Sequence, residues 1–346
     1  MMNFELYKEK LKENINNMLN QDLNLNQNFF NEDVERQPTR KGYGTGLVEL
    51  GESDNNIVVL SADLTESTQA HLFAEKFPDR MFQMGVAEQN MAAVAAGFGV
   101  SGKRAFISSY ATFSPGKNWE TIRTTIAYNN SDVKVAGHHA GTMTGPDGAT
   151  HQATEDIAIM RVLPNFKVLV PCDHIQAHKA TLQAGNEYGP YYIRYTRDKS
   201  PVITTDSTPF ELGKGQVFWK GNSPRIAIFS TGFLTSEAIF AANELKNEGV
   251  EVDVINIHSI KPLDLDLILS YSHTVGGFVT VEDHQIAGGL GSAIAEFVAQ
   301  NKPIPIEFVG MKDSFGETGT PAELLKKYKM DKDGIKESVN KLLSKI

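Results

Sequence analysis

The sequence has little that would tie it to a membrane, a nucleic acid or an oxidising compartment. Its one cysteine, Cys172, has no partner for an internal disulfide and fits a reducing compartment. No apolar stretch approaches the ~18 residues of a membrane span, and the start Met1-Met-Asn-Phe-Glu lacks a signal-peptide pattern. Lysine and arginine never cluster beyond a dipeptide, and a net charge of −9 argues against nucleic acid or an anionic membrane surface. The Walker pattern and a complete G-x-G-x-x-G after a strand are missing too. The expectation is a soluble, cytoplasmic protein.

What is present is an ordinary globular composition, 41% hydrophobic and 22% charged over 346 residues. At about one domain per 100–200 residues, that length predicts two domains. Residues 1–37 are polar and rich in Asn and Gln, and read as a peripheral arm. From Pro38 the texture changes. Apolar runs at 57–61, 104–109, 133–137, 166–170 and 191–195 are spaced by helical stretches, including 117–129, 154–162 and 174–187. That alternation predicts an α/β domain over 38–200 with a doubly wound parallel sheet. Residues 201–212 are short of long apolar side chains and read as a linker. A second α/β domain over 213–346 has strands near 225–230, 251–257, 276–281 and 304–309, with helices near 235–248, 289–300 and 321–343.

Sites in such sheets form in the loops at the carboxyl ends of the strands. That rule selects Asp63, Tyr110 to Phe113, His138 to His151 and Arg197. Glu88 opens the small, apolar stretch Met91-Ala-Ala-Val-Ala-Ala-Gly, the pattern of a helix packed on most faces, and a first-turn carboxylate suits the positive end of the helix dipole. By position alone it is an N-terminal glutamate and nothing more. The loop Gly145-Pro-Asp-Gly-Ala-Thr-His-Gln152 is neither helix nor strand, and with His138 and His139 up to three imidazoles converge on one cleft. Zinc is a competing explanation for the His and Asp residues, without an HExxH or Cys/His pairing behind it. Gly42-Tyr-Gly-Thr-Gly46 and Gly288-Gly-Leu-Gly291 look like phosphate loops only superficially; the second reads as a tight strand-to-helix turn.

Taken in order, Arg40, Ser61-Ala-Asp-Leu-Thr-x-Ser67, Gly85-Val-Ala-Glu-Gln-Asn-Met91, Tyr110-Ala-Thr-Phe113, His139, Gly145 to Gln152, Arg197 and Gly288-Gly-Leu-Gly-Ser resemble the transketolases. The resemblance runs from about residue 38 to near the C-terminus. It implies the thiamine-diphosphate pyrimidine-binding domain followed by the transketolase C-terminal domain. In that family another domain holds the diphosphate and Mg²⁺ through Gly-Asp-Gly followed by Asn-Asn, and no Gly-Asp-Gly occurs here. The chain therefore resembles the C-terminal subunit of a split transketolase. An N-terminal subunit would hold diphosphate and metal, with a self-dimer of this chain inside a heterotetramer.

The resemblance also implies roles. Glu88 would hydrogen-bond N1′ of the cofactor's aminopyrimidine, inside an aromatic pocket of Tyr110 and Phe113, with Asp63 facing the thiazolium or the subunit contact. His151 would stand near the reacting carbonyl and Asp147 on a neighbouring hydroxyl. Arg40, Ser67, His139 and Arg197 would hold the phosphate end of a sugar phosphate, as guanidinium forks and neutral donors do. No metal ligand is expected in this chain. The Ser114-Pro-Gly-Lys-Asn-Trp119 segment fits the family only with a gap, leaving open whether Lys117 or Trp119 lines the site. Two enzymes of related plan stay as alternatives, the beta subunit of a 2-oxo-acid dehydrogenase and a deoxyxylulose-phosphate synthase. A non-catalytic scaffold is a third.

Overall fold

The computed structural model describes residues 18–346 as a seven-stranded and a five-stranded sheet flanked by helices, with a small antiparallel pair of Arg36–Gln37 and Ser200–Pro201. In chain order the strands are β1 (Arg36–Gln37), β2 (Ile57–Ser61), β3 (Met81–Gln83), β4 (Arg104–Tyr110), β5 (Val133–His138), β6 (Lys167–Leu169) and β7 (Tyr191–Arg194). They continue with β8 (Ser200–Pro201), β9 (Gln216–Trp219), β10 (Ile226–Ser230), β11 (Val252–Asn256), β12 (Ser259–Lys261), β13 (Gly277–Gln285) and β14 (Ile306–Met311).

The first sheet runs β12-β6-β7-β5-β4-β2-β3 and is parallel except at β12. Its strands β2, β5 and β7 are buried along their whole length, and β4 along all but its two end residues. That explains why they read as apolar runs without alternation. Helices Thr39–Ser53 and His174–Asn186 cover one face, so closely that a Cβ on Gly42 would lie 2.0 Å from the His174 carbonyl oxygen. The glycines of Gly42-Tyr-Gly-Thr-Gly46 are helix-packing residues. The second sheet runs β14-β13-β10-β11-β9, parallel but for its edge strand β9.

The two units are less separate than the sequence implies. Strand β12 leaves the second unit to pair antiparallel with β6 at the edge of the first sheet. One apolar cluster includes Leu60, Ile107 and Val168 of the first sheet and Phe229, Ile255 and Phe278 of the second. Residues 18–37 are no peripheral arm: Leu19, Leu25 and Phe29 are buried with Phe218 and Trp219, and Phe29 stacks on Phe240 at 4.9 Å. Two of the asparagines that make this stretch look solvated bond to backbone instead, Asn20 to the Val217 carbonyl and Asn26 to the Val202 carbonyl. The part of the arm before residue 18 lies outside the described residues.

The linker expected at 201–212 is partly internal. Buried Asp173 accepts hydrogen bonds from the Ile203 and Thr204 amides and the Thr204 hydroxyl, while capping helix His174–Asn186 at Gln176 N. Two expected helices also differ. The stretch 321–343 is two helices, Pro321–Lys327 and Lys332–Leu343, because Lys329 turns left-handed and Asp331 caps a fresh start. The helix expected over 117–129 begins earlier and is widely wound, with hydrogen bonds from Asn118 N to Phe113 O and from Tyr128 N to Arg123 O. Pro115 has no N–H to give and Ser114 is non-helical, so a regular ladder cannot form there.

Candidate active site

Glu88 is the first residue of helix Glu88–Val100, directly beyond the carboxyl end of β3, and is 2% exposed. Its carboxylate receives a hydrogen bond from Lys117 Nζ at 2.9 Å, and its backbone oxygen one from Asn118 Nδ2 at 3.0 Å. Lys117 reaches in from the widely wound segment after Tyr110, which Asn118 fixes by bonding Ser114 as well. The open question at Lys117 and Trp119 thus divides: Lys117 stands on Glu88, whereas Trp119 packs against the core and donates to the Ile159 carbonyl. The helix is not packed on most faces. Gln89, Ala93, Val94, Gly97 and Val100 leave one side exposed.

A second cluster gathers at the carboxyl ends of β2, β4 and β5. Arg40 Nη1 donates to the Ser67 carbonyl at 2.7 Å and lies 3.1 Å from His139 Nε2. Ser67 Oγ is 2.9 Å from the Tyr110 hydroxyl, and the Tyr110 ring lies 4.1 Å from that of His139. His139 has a left-handed backbone (φ 53°), held by the Thr144 hydroxyl donating to its carbonyl. Tyr110 and Phe113 are nearly parallel at 6.0 Å, and the His151 ring meets Phe113 edge-on at 5.4 Å. Arg197 donates to Asp147 at 2.6 Å and to the Thr144 carbonyl at 3.0 Å.

Two guanidiniums, one of them paired with Asp147, set the electrostatics of this cluster. Burial, then the guanidiniums of Arg40 and Arg197, push the His139 pKa down to about 3, so the ring is neutral. Burial and the nearby Arg197 also lower the pKa of Arg40. His139 Nε2 lies 3.1 Å from Arg40 Nη1, which can only donate, and 3.2 Å from the Ser67 carbonyl, which can only accept. His139 Nδ1 and Arg40 Nε are both buried without a partner. An orphaned guanidinium N–H and an orphaned imidazole nitrogen near Arg197 have the chemistry of a phosphate or sulfonate seat.

Two expected residues stand apart. Asp63, left-handed after β2, is exposed and joins none of these hydrogen bonds. His138 points through the sheet to the opposite side, stacked on Tyr195 at 4.9 Å, so two imidazoles rather than three face the cleft. Burial keeps the His138 ring neutral, with its pKa well below the usual range. Among the described residues no group of three or more His, Cys, Asp or Glu is arranged to hold a metal ion.

Residues 35–202 match the transketolase pyrimidine binding domain, and residues 215–335 match the transketolase C-terminal domain. A "putative transketolase C-terminal section" of Methanocaldococcus jannaschii is 41% identical over 88% of this chain and 96% of its own length. A 6-deoxy-6-sulfo-D-fructose transketolase subunit of a Clostridium species is 35% identical over 86% of this chain and 92% of its own. Among solved structures, an inactive β4 tetramer of a split-gene transketolase superimposes with a TM-score of 0.82 at 42% identity, covering 89% of this chain and 98% of that one. Carrying both of these domains in order, the chain belongs to the transketolase family.

Proposed function

We propose that this chain is the cofactor-pyrimidine and substrate half of a split transketolase. With an N-terminal subunit holding the diphosphate and Mg²⁺, it moves a two-carbon ketol unit from a ketose phosphate to an aldose phosphate. The observation that carries the reading is a buried carboxylate, Glu88, at the same end of one sheet as the cluster of Arg40, His139 and Arg197. The residues present fit the pyrimidine half of thiamine diphosphate. A flat ring has the near-parallel pair Tyr110 and Phe113 to lie against, and a ring nitrogen has the Glu88 carboxylate. When bound, the cofactor supplies the carbon nucleophile that carries the two-carbon unit.

Each residue then has a task. Glu88 holds the proton shared with the pyrimidine N1′. Arg40, Ser67, His139 and Arg197 seat the terminal phosphate and so fix the sugar's reach into the cleft. Asp147 orients a hydroxyl, and His151, beside Phe113, serves the reacting carbonyl. Asp63, exposed and away from these contacts, faces the thiazolium side or the subunit contact. The bare apolar side of the Glu88 helix, with Val94 36% and Val100 65% exposed and Val86 72% exposed just ahead of it, suits contact with a second copy in a heterotetramer. The relatives support this arrangement, one being a C-terminal section and another an inactive tetramer of β chains.

A second reading of the substrate has its own support. The seat would take a sulfonate as well as a phosphate, and one relative is a 6-deoxy-6-sulfo-D-fructose transketolase subunit. The test is to mix the purified chain with its N-terminal partner and assay ketol transfer from phosphorylated and sulfonated ketoses. The mixture should be active, the chain alone inactive, and Glu88→Ala should abolish turnover. Oxidative decarboxylation of a 2-oxo acid in place of ketol transfer would sink the proposal, and so would unaltered activity in Glu88→Ala.

A further inference from the structure

The substrate loop between β5 and helix Asp156–Arg161 is held from outside its own domain. Asp283, at the carboxyl end of β13 in the second sheet, is 2% exposed and turns its carboxylate to the start of that loop. Thr142 N donates to both carboxylate oxygens at 3.0 Å, and the Thr142 hydroxyl donates at 2.8 Å. The approach is so close that a Cβ on Gly141 would lie 2.0 Å from Asp283 Oδ2. Arg194, at the end of β7, ties the same place together: it donates to the Asp283 carbonyl at 2.7 Å and to Asp156 at 2.8 Å.

The far end of the loop is caught by neighbouring parts of the second unit. Gln285 N donates to the Thr154 carbonyl at 2.7 Å. Gln152 Nε2 bridges the Gly145 carbonyl, inside the loop, to the Glu317 carbonyl at 2.9 Å. Between these anchors stand Asp147 and His151, with His139 just ahead of the first, and Thr144 bonds the carbonyls of both histidines. Inside the first domain the loop is held by Arg197, on Asp147 and the Thr144 carbonyl, and by Gly141 N on the Ala153 carbonyl. Its turns at Gly141, Gly145 and Gly148 have positive φ and little stiffness of their own.

We propose that Asp283 is a positioning residue for substrate: the second domain, through its carboxylate on Thr142, sets where His139, Asp147 and His151 stand. The inference rests on the reading of those residues as the sugar-phosphate site. Asp283 touches neither substrate nor cofactor. Its effect should therefore fall on substrate binding and leave the pyrimidine pocket around Glu88, Tyr110 and Phe113 as it is. Burial raises the Asp283 pKa against the opposing pull of Arg194, and the Thr142 bonds favour the ionised form that the loop uses.

The experiment compares wild type, Asp283→Asn and Thr142→Val, each as the chain alone and as the complex with the N-terminal partner. Hydrogen–deuterium exchange on the chain alone should quicken in 140–152 in both variants and stay unchanged in β2 and β4. In the complex, KM for a ketose phosphate should rise about tenfold in Asp283→Asn and about threefold in Thr142→Val, the scale of one buried charge-assisted bond and one hydroxyl bond. The thiamine diphosphate Kd should stay within about twofold of wild type, the margin allowed by weak coupling between separate sites. Unquickened loop exchange, or a quickened loop with unchanged KM, overturns the proposal. Should Asp283→Asn fail to fold, Thr142→Val carries both readouts. A wild-type complex without ketol transfer is a failure of the functional reading instead, and loop exchange still judges the clasp.

Discussion

At the scale of single residues, the Lys117–Glu88 pair and the neutral His139 have different consequences. Lys117 is 48% exposed and bonded to a carboxylate that is 2% exposed, so the cation is the partner free to leave. A pyrimidine approaching Glu88 competes with it. An ion pair with one arm in water contributes about 0.2–1 kcal/mol. Lys117→Met should therefore bind thiamine diphosphate up to about fivefold tighter in the assembled complex, by fluorescence titration. Equal affinities would mean that Lys117 is not displaced. His139 makes a pH prediction. Its folded pKa of about 3 lies below the ordinary 6.5, so between those values the unfolded chain takes up a proton that the folded chain refuses. Stability tied to this residue is complete above 6.5 and is lost as pH falls. Relative to His139→Asn, wild type should lose about 1.4 kcal/mol per pH unit between about pH 6 and 4 in urea titrations. Parallel pH profiles would refute it.

At the scale of elements, much of the site's precision comes from helices that approach closely and from one that is irregular. Helix Thr39–Ser53 carries Arg40 in its first turn, and its seat against helix His174–Asn186 depends on Gly42 having no side chain. Because the obstruction is a backbone oxygen, Gly42→Ala must push the helices apart. A cost of about 3 kcal/mol is expected by chemical denaturation, at the upper end for overpacking, with a weaker sugar-phosphate seat as Arg40 shifts. The widely wound stretch from Thr112 to Ala127 is the other device. It brings Phe113 under the cleft and Lys117 onto Glu88 within one short segment, which a regular helix interrupted by Pro115 would not do.

At the scale of the whole molecule, the proposed function makes this chain one half of a shared site. In that proposal its described residues supply the pyrimidine pocket around Glu88 and the phosphate seat around Arg40. The bare face of the Glu88 helix lies beside that pocket, so closing the face against a second copy would also wall off the cofactor from water. Val100→Asp, on that face and 65% exposed, should weaken self-association without unfolding the chain, as read by analytical ultracentrifugation and circular dichroism. An unchanged association constant would remove this face from the interface.

The sequence by itself determined the doubly wound α/β class, the places of most strands and which loops carry polar chemistry. Apolar runs and strand ends are local patterns that survive without knowledge of neighbours. Gly42 to Gly46 and Gly145 to Gln152 were legible as unusual, though only the second belongs to the cleft. What the sequence left hidden was decided by partners far apart along the chain. Asn20 and Asn26 look solvated until they meet the backbone at Val217 in the second unit and Val202 in the linker. Lys117 looks like a surface lysine until it meets Glu88, 29 positions away. His138 ends β5 and is lost to the core, while His139, one residue beyond the strand with a left-handed backbone, is turned to the cleft. Asp283 reaches Thr142 across 141 residues, and only packing one sheet against the other brings them together. Long-range hydrogen bonds of this kind have no period and no spacing to read, because tertiary packing alone chooses the partner.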